Sequence, residues 1–125
     1  MEIYYSIIVV KAFVFFSIVN VWFFKFGKPT SWRAENASSM KEEFKAYGLS
    51  ESMMYLVGGL KVLSAILILL SIWFENLAIP AATGMSILML GAIIMHFKIS
   101  DPIKKSFPAF SFLILSVVII IYHLG

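Results

Sequence analysis

Four apolar stretches, at about residues 3–24, 53–74, 77–97 and 107–122, dominate this chain. Crossing the hydrocarbon core of a bilayer takes roughly 20 apolar residues as a helix, and no water-soluble domain of this length could bury so many. The runs are continuous, without the period-two alternation of a membrane β-barrel. The sequence therefore predicts an all-α bundle of four transmembrane helices, with residues 1–125 forming a single integral membrane domain. Only 14% of the residues are charged, against about 25% in soluble domains. The opening "MEIYYSIIVV" has neither a basic lead nor a small-residue cleavage site, so it reads as a retained first span rather than a signal peptide.

The one sizeable polar segment is the loop at 25–52. Gly27 and Pro29 stop the first helix. Ser39, followed three residues later by Glu42, resembles a capping box, and 40–47 reads as a short amphipathic helix with Met40, Phe44 and Tyr47 on one side, lying at the bilayer surface. The tight turn "ENLAIP" makes spans two and three antiparallel neighbours. Of the ten Lys and Arg residues, Lys11 and Lys61 lie inside spans. The other eight (Lys25, Lys28, Arg33, Lys41, Lys45, Lys98, Lys104 and Lys105) all fall in the first and third loops. By the positive-inside rule, loops 25–52 and 98–106 are cytoplasmic and both termini lie outside a plasma membrane. Basic residues placed this way report topology, not a nucleic-acid surface.

The buried charges are the most informative residues. Lys61 sits about 12 Å into its helix at 1.5 Å per residue, where a lysine costs about 2.5–3.5 kcal/mol unless it finds a partner, water or an escape route. Gly58, Ser64, Ala65, Ser71 and Glu75 share its face, and Leu63, Ile66, Leu67 and Leu70 form the other. Lys61 should therefore face inward, in either an interhelical contact or a ligand or ion pocket. Lys11 lies equally deep from the outer end, among Ile7, Val14, Phe15 and Ile18. Helical side chains lean toward their N-terminus, so the expectation is that Lys11 snorkels outward toward the level of Glu2 and Glu75. Asn20, with Ser17 on the opposite face, is expected to bond across a helix interface.

His96 ends span three beside Lys98 and Asp101. A cluster of Lys61, His96 and Asp101, extended by Glu51, is within reach, and an imidazole there is a candidate proton carrier; the alternative is a simple interfacial anchor. His123 belongs to the opposite membrane face, so the two histidines cannot jointly hold one haem in a monomer. Gly84 and Gly91, with Gly58 on span two, read as small-residue seams for helix packing. Span four, with only Ser111 and Ser116 as interior polar groups, reads as largely lipid-facing. Cysteine is absent, which removes thiol nucleophiles, thiolate metal sites and iron–sulfur clusters from this chain. No metal-ligating set and no nucleophile–base pair is visible, so no catalytic residue is assigned and independent enzymatic activity is not expected.

Three stretches, "VGGLKVLSAILILL", "GMSILMLGAIIMHFKISDP" and "VKAFVFFSIVNVWFFKF", together resemble the DoxX-like family of small four-helix membrane proteins. Many members carry an acidic residue where Lys61 stands, and the glycine expected before Lys25 is missing. The resemblance implies an accessory subunit of a membrane redox or quinone-linked complex, or a partner-assembly factor, with "SWRAEN" and the 40–47 helix as its exposed handle. A quinone carbonyl accepting from Lys61 would be the ligand; no cofactor intrinsic to the chain is expected. The alternative is a small oligomeric transporter or channel for an anionic or small organic solute. The expected surroundings are lipid bilayer and a membrane-protein partner or a homo-oligomer, without nucleic acid.

Overall fold

The computed structural model describes residues 2–28 and 37–125, within which the chain is helical and contains no strand. Pro29, Arg33 and the "SWRAEN" handle lie outside the described residues. Helix α1 (Glu2–Val19) runs into a π turn at Asn20–Phe24; α2 (Met40–Ala46) is short; α3 (Glu51–Leu70), α4 (Ala78–Lys98) and α5 (Phe107–Leu124) follow. Four segments, Ile3–Phe24, Glu51–Leu70, Glu75–Lys98 and Ile103–Leu124, are long and apolar enough to cross a membrane. The molecule is an all-α integral membrane bundle.

The spans close into a ring in which α1 and α4 each pack against both α3 and α5, with α4 on α5 the most extensive pairing. The bundle is apolar on the outside: Val9, Phe13 and Phe16 of α1, Leu63 and Ile66 of α3, Ile87 and Ile94 of α4, and Ile114 and Ile121 of α5 are all exposed. Surfaces of this kind belong against acyl chains. Inside, small or unbranched side chains let the helices approach, among them Val14, Ala65, Ala82, Met85 and Met89. Helix α5 buries the smallest share of its length, in keeping with a mostly lipid-facing span.

Helix α3 stops four residues before the end of the apolar run. The Ser71 hydroxyl donates to the Ile68 carbonyl at 2.5 Å, and the Ser71 N–H is shared between the carbonyls of Leu67 and Ile68. A serine able to bond the preceding turn favours termination; a short 3₁₀ turn at Glu75–Leu77 then leads into α4.

Helix α2 is capped by Ser39, whose side chain accepts from the Glu42 N–H at 3.2 Å. The returning Glu42 carboxylate accepts from the backbone N–H of Ser38 at 3.0 Å and from the Ser38 hydroxyl, so the reciprocal half of the capping box is displaced by one residue. Gly48, at φ +80°, turns the chain away from α2 into α3, a conformation that glycine adopts freely. The inner face of α2 does not rest on lipid. Met40, Glu43, Phe44 and the capping residue Tyr47 are all buried against the end of the bundle, leaving Lys41, Glu42 and Lys45 exposed.

Candidate functional site

A cavity of about 790 Å³ lies above α2 and is lined by residues from all five helices. That size falls within the range of small-molecule sites. Most of its wall is apolar, including Ile18, Val57, Met89, Met95 and Phe112, while Lys61, Glu43, Tyr47 and His96 supply buried or half-buried polar groups.

Trp22, on the π turn, extends the buried stripe Ile7–Lys11–Val14–Ile18 of α1. The turn is marked by the Lys25 N–H reaching back five residues to the Asn20 carbonyl at 2.9 Å, and such turns recur at functional sites. The Trp22 ring lies flat against Gly58: a Cβ there would come within 2.3 Å of Trp22 Cζ3 and 2.6 Å of Cε3. Only glycine admits the indole. One turn further along α3, the Lys61 ammonium stands 5.6 Å from the centre of the same ring. This cation–π contact is the interaction the structure gives Lys61 among the described residues; no carboxylate or carbonyl of theirs accepts a hydrogen bond from its Nζ. Cation–π attraction is worth about 0.5–2 kcal/mol, short of the cost of keeping a lysine in a membrane interior.

The cluster expected around Lys61 is divided. Glu51 lies at the surface, 3.8 Å from Lys41. Asp101 pairs instead with His96, its Oδ2 lying 2.7 Å from His96 Nδ1. On the other side of the imidazole, Nε2 is 3.1 Å from the Tyr47 hydroxyl, and that hydroxyl is 2.8 Å from Glu43 Oε2. Lys98 adds a bond from its ammonium to the Tyr47 carbonyl at 3.5 Å. The result is a chain, Asp101–His96–Tyr47–Glu43, that joins the end of α4 to α2 at the cavity floor. The phenol carries one proton and can donate to either Glu43 or His96, not both. With Tyr47 donating to Glu43, both imidazole nitrogens must donate, so the full set of contacts takes one proton more than a neutral imidazole provides. The arrangement can hold and hand on a proton.

Sequence reasoning missed Glu43 and treated Tyr47 only as an apolar contact. The signal was present: residues 40, 43, 44 and 47 fall on one helical face, which places the Glu43 carboxylate among the buried side chains. Tyr47→Phe should lower stability by about 1.5–3 kcal/mol, because a buried carboxylate loses a phenol donor; thermal unfolding in nanodiscs measures this.

Lys11 requires a correction. It does not snorkel; it is 2% exposed, and its Nζ donates to the Ser71 carbonyl at 3.3 Å. The cause is the early end of α3, which presents unsatisfied terminal carbonyls to α1 at that depth. Asn20 is corrected too: its side chain is exposed at the cavity edge and bonds to no described residue across an interface. Ser64 is half-buried, its hydroxyl 3.3 Å from where a Cβ on Gly84 would lie. At Gly91, expected to receive a helix, no atom lies within 4 Å of that position; the residue is exposed and lines the cavity. His123 is at the opposite end of the bundle, on the last turn of α5.

Among the described residues no group of three or more His, Asp or Glu side chains is arranged to hold a metal ion. The family model of the DoxX-like family matches residues 9–119, from the second turn of α1 to the buried Ile119 of α5. No curated protein matches the chain, and no solved structure matches it.

Proposed function

The chain belongs to the DoxX-like family, and from that premise we propose that it is a ligand-binding accessory subunit of a quinone-linked redox complex in the plasma membrane. The observation that carries this reading is the Lys61 ammonium, held over Trp22 in a ligand-sized cavity without a hydrogen-bond acceptor among the described residues. A quinone head group fits that setting. It is flat and mostly apolar, and its carbonyl oxygen accepts from an ammonium, a charge-assisted bond of the stronger kind. When bound it would supply the redox chemistry. With no cysteine in the chain, electrons come from a partner subunit.

The protein's own groups bind, orient and manage protons. Lys61 fixes the head group, Trp22 and the apolar wall exclude water, and the Asp101–His96–Tyr47–Glu43 chain holds a proton at the cavity floor. The distribution of basic residues supports a cytoplasmic location for the α2 end, with both termini outside, so protons would be exchanged with the cytoplasm. The exposed Lys41, Glu42 and Lys45 of α2 favour a second reading, an assembly factor that presents this face to a membrane partner. Transport of an anion would use the same cavity and the same lysine.

The test is purification from native membranes of the unchanged protein and of Lys61→Met, which keeps the volume and removes the charge. Extracted small molecules are then identified by mass spectrometry. A quinone should accompany the unchanged protein and fall roughly tenfold or more in the variant, the equivalent of one charged hydrogen bond. Absence of any quinone from the unchanged protein overturns the reading. Lys61-dependent anion flux in liposomes would establish transport in its place.

A further inference from the structure

We infer that the cavity opens sideways to lipid between α3 and α4, and that this slot receives the hydrocarbon tail of a ligand whose head group lies at Lys61. The inference rests on the head-group reading above and adds the ligand's second half: a single flexible chain, entering from the bilayer rather than from water.

The slot follows from how the two helices separate. Near their connecting turn they are close, with Ser64 of α3 at van der Waals distance from Gly84 of α4. Toward α2 the facing positions become cavity wall: Val57 and Lys61 on one side, Leu88, Ala92 and Met95 on the other. At the outer edge stand Ile87, 63% exposed, and Gly91, which has only open space where a side chain would begin. Both therefore face the cavity and the molecule's exterior together. This part of the exterior belongs to a membrane-crossing segment, so what lies outside is acyl chain. An apolar gap that starts one helical turn from a lysine lacking an acceptor, and ends in hydrocarbon, fits an amphiphile with a polar head and one tail. A solute from water would have to pass the buried floor of α2 and its Tyr47–His96 contact.

Gly91→Phe provides the test, because the added ring enters open space and leaves Lys61 in place. Two probes are used with the full chain in detergent micelles: decylubiquinone, and the same benzoquinone without its tail. Trp32→Phe and Trp73→Phe are introduced into every sample, so that quenching reports on Trp22. Folding of each variant is verified by its helical circular dichroism and its melting temperature. The slot predicts that Gly91→Phe weakens decylubiquinone roughly tenfold, the effect of displacing about two methylenes, while the tailless probe shifts less than about twofold on the same scale. Equal affinity of decylubiquinone for both proteins overturns the slot and leaves the head-group site standing. Equal weakening of both probes also overturns it, since the plug then acts on the head. Binding of neither probe to the Gly91 protein overturns the head-group reading, and the tail path with it.

Discussion

Lys11→Glu should be the most damaging single substitution in the first span, lowering stability by about 3–5 kcal/mol, whereas Lys11→Met should change it by about 1 kcal/mol or less. The native ammonium donates to the carbonyl of Ser71, the C-capping residue of α3. The end of a helix carries partial negative charge and unsatisfied carbonyls, so a cation there is favourable. A carboxylate in the same enclosed position has no donor to meet and faces the wrong end of a dipole. Methionine fills the same volume and removes both the attraction and the cost of burying a charge. Unfolding by titration with sodium dodecyl sulfate, followed by circular dichroism, should show that order. If glutamate is tolerated as well as methionine, Lys11 does not hold the end of α3.

Gly58→Ala should lower stability by about 1–3 kcal/mol, the usual cost of overfilling a packed interior, and should release bound ligand. An added methyl would overlap the Trp22 ring at 2.3 Å, and the rigid indole cannot fold away as a flexible chain would. The ring has to move, and Lys61 loses the face it rests on. In a Trp22→Leu background the same glycine substitution should cost at least about 1 kcal/mol less, because neighbouring groups couple where distant ones add. A double-mutant cycle in the same denaturation assay measures this. Full additivity would show that the close approach of Trp22 to Gly58 is not what requires glycine.

Much of the architecture can be read from residue order because hydrocarbon imposes a simple rule: apolar runs of sufficient length cross it, and backbone polar groups must be satisfied within them. The four spans and the inner face of α2 follow directly. The site is less legible. Periodicity places Lys11 on one face of α1 and Asn20 on another, but it cannot say which face meets a neighbour. That choice depends on where α3 stops, and α3 stops through a single hydroxyl, that of Ser71. The histidine at the end of span three is equally plain, yet its partner Glu43 comes from another helix through a capping register that fixes α2 in rotation. Gly91 and Gly84 look alike in the sequence. One meets a serine and the other meets nothing, because two helices diverge between them.

The wide turn at Asn20–Phe24 separates two properties that an unbroken helix ties together. In a regular span, lengthening the rod by one residue also rotates everything beyond it by about 100°. A turn that absorbs an extra residue in its circumference lets the rod reach the bilayer border while the stripe from Ile7 to Trp22 keeps its heading. The first span can therefore match the thickness of its membrane without swinging the indole off its glycine.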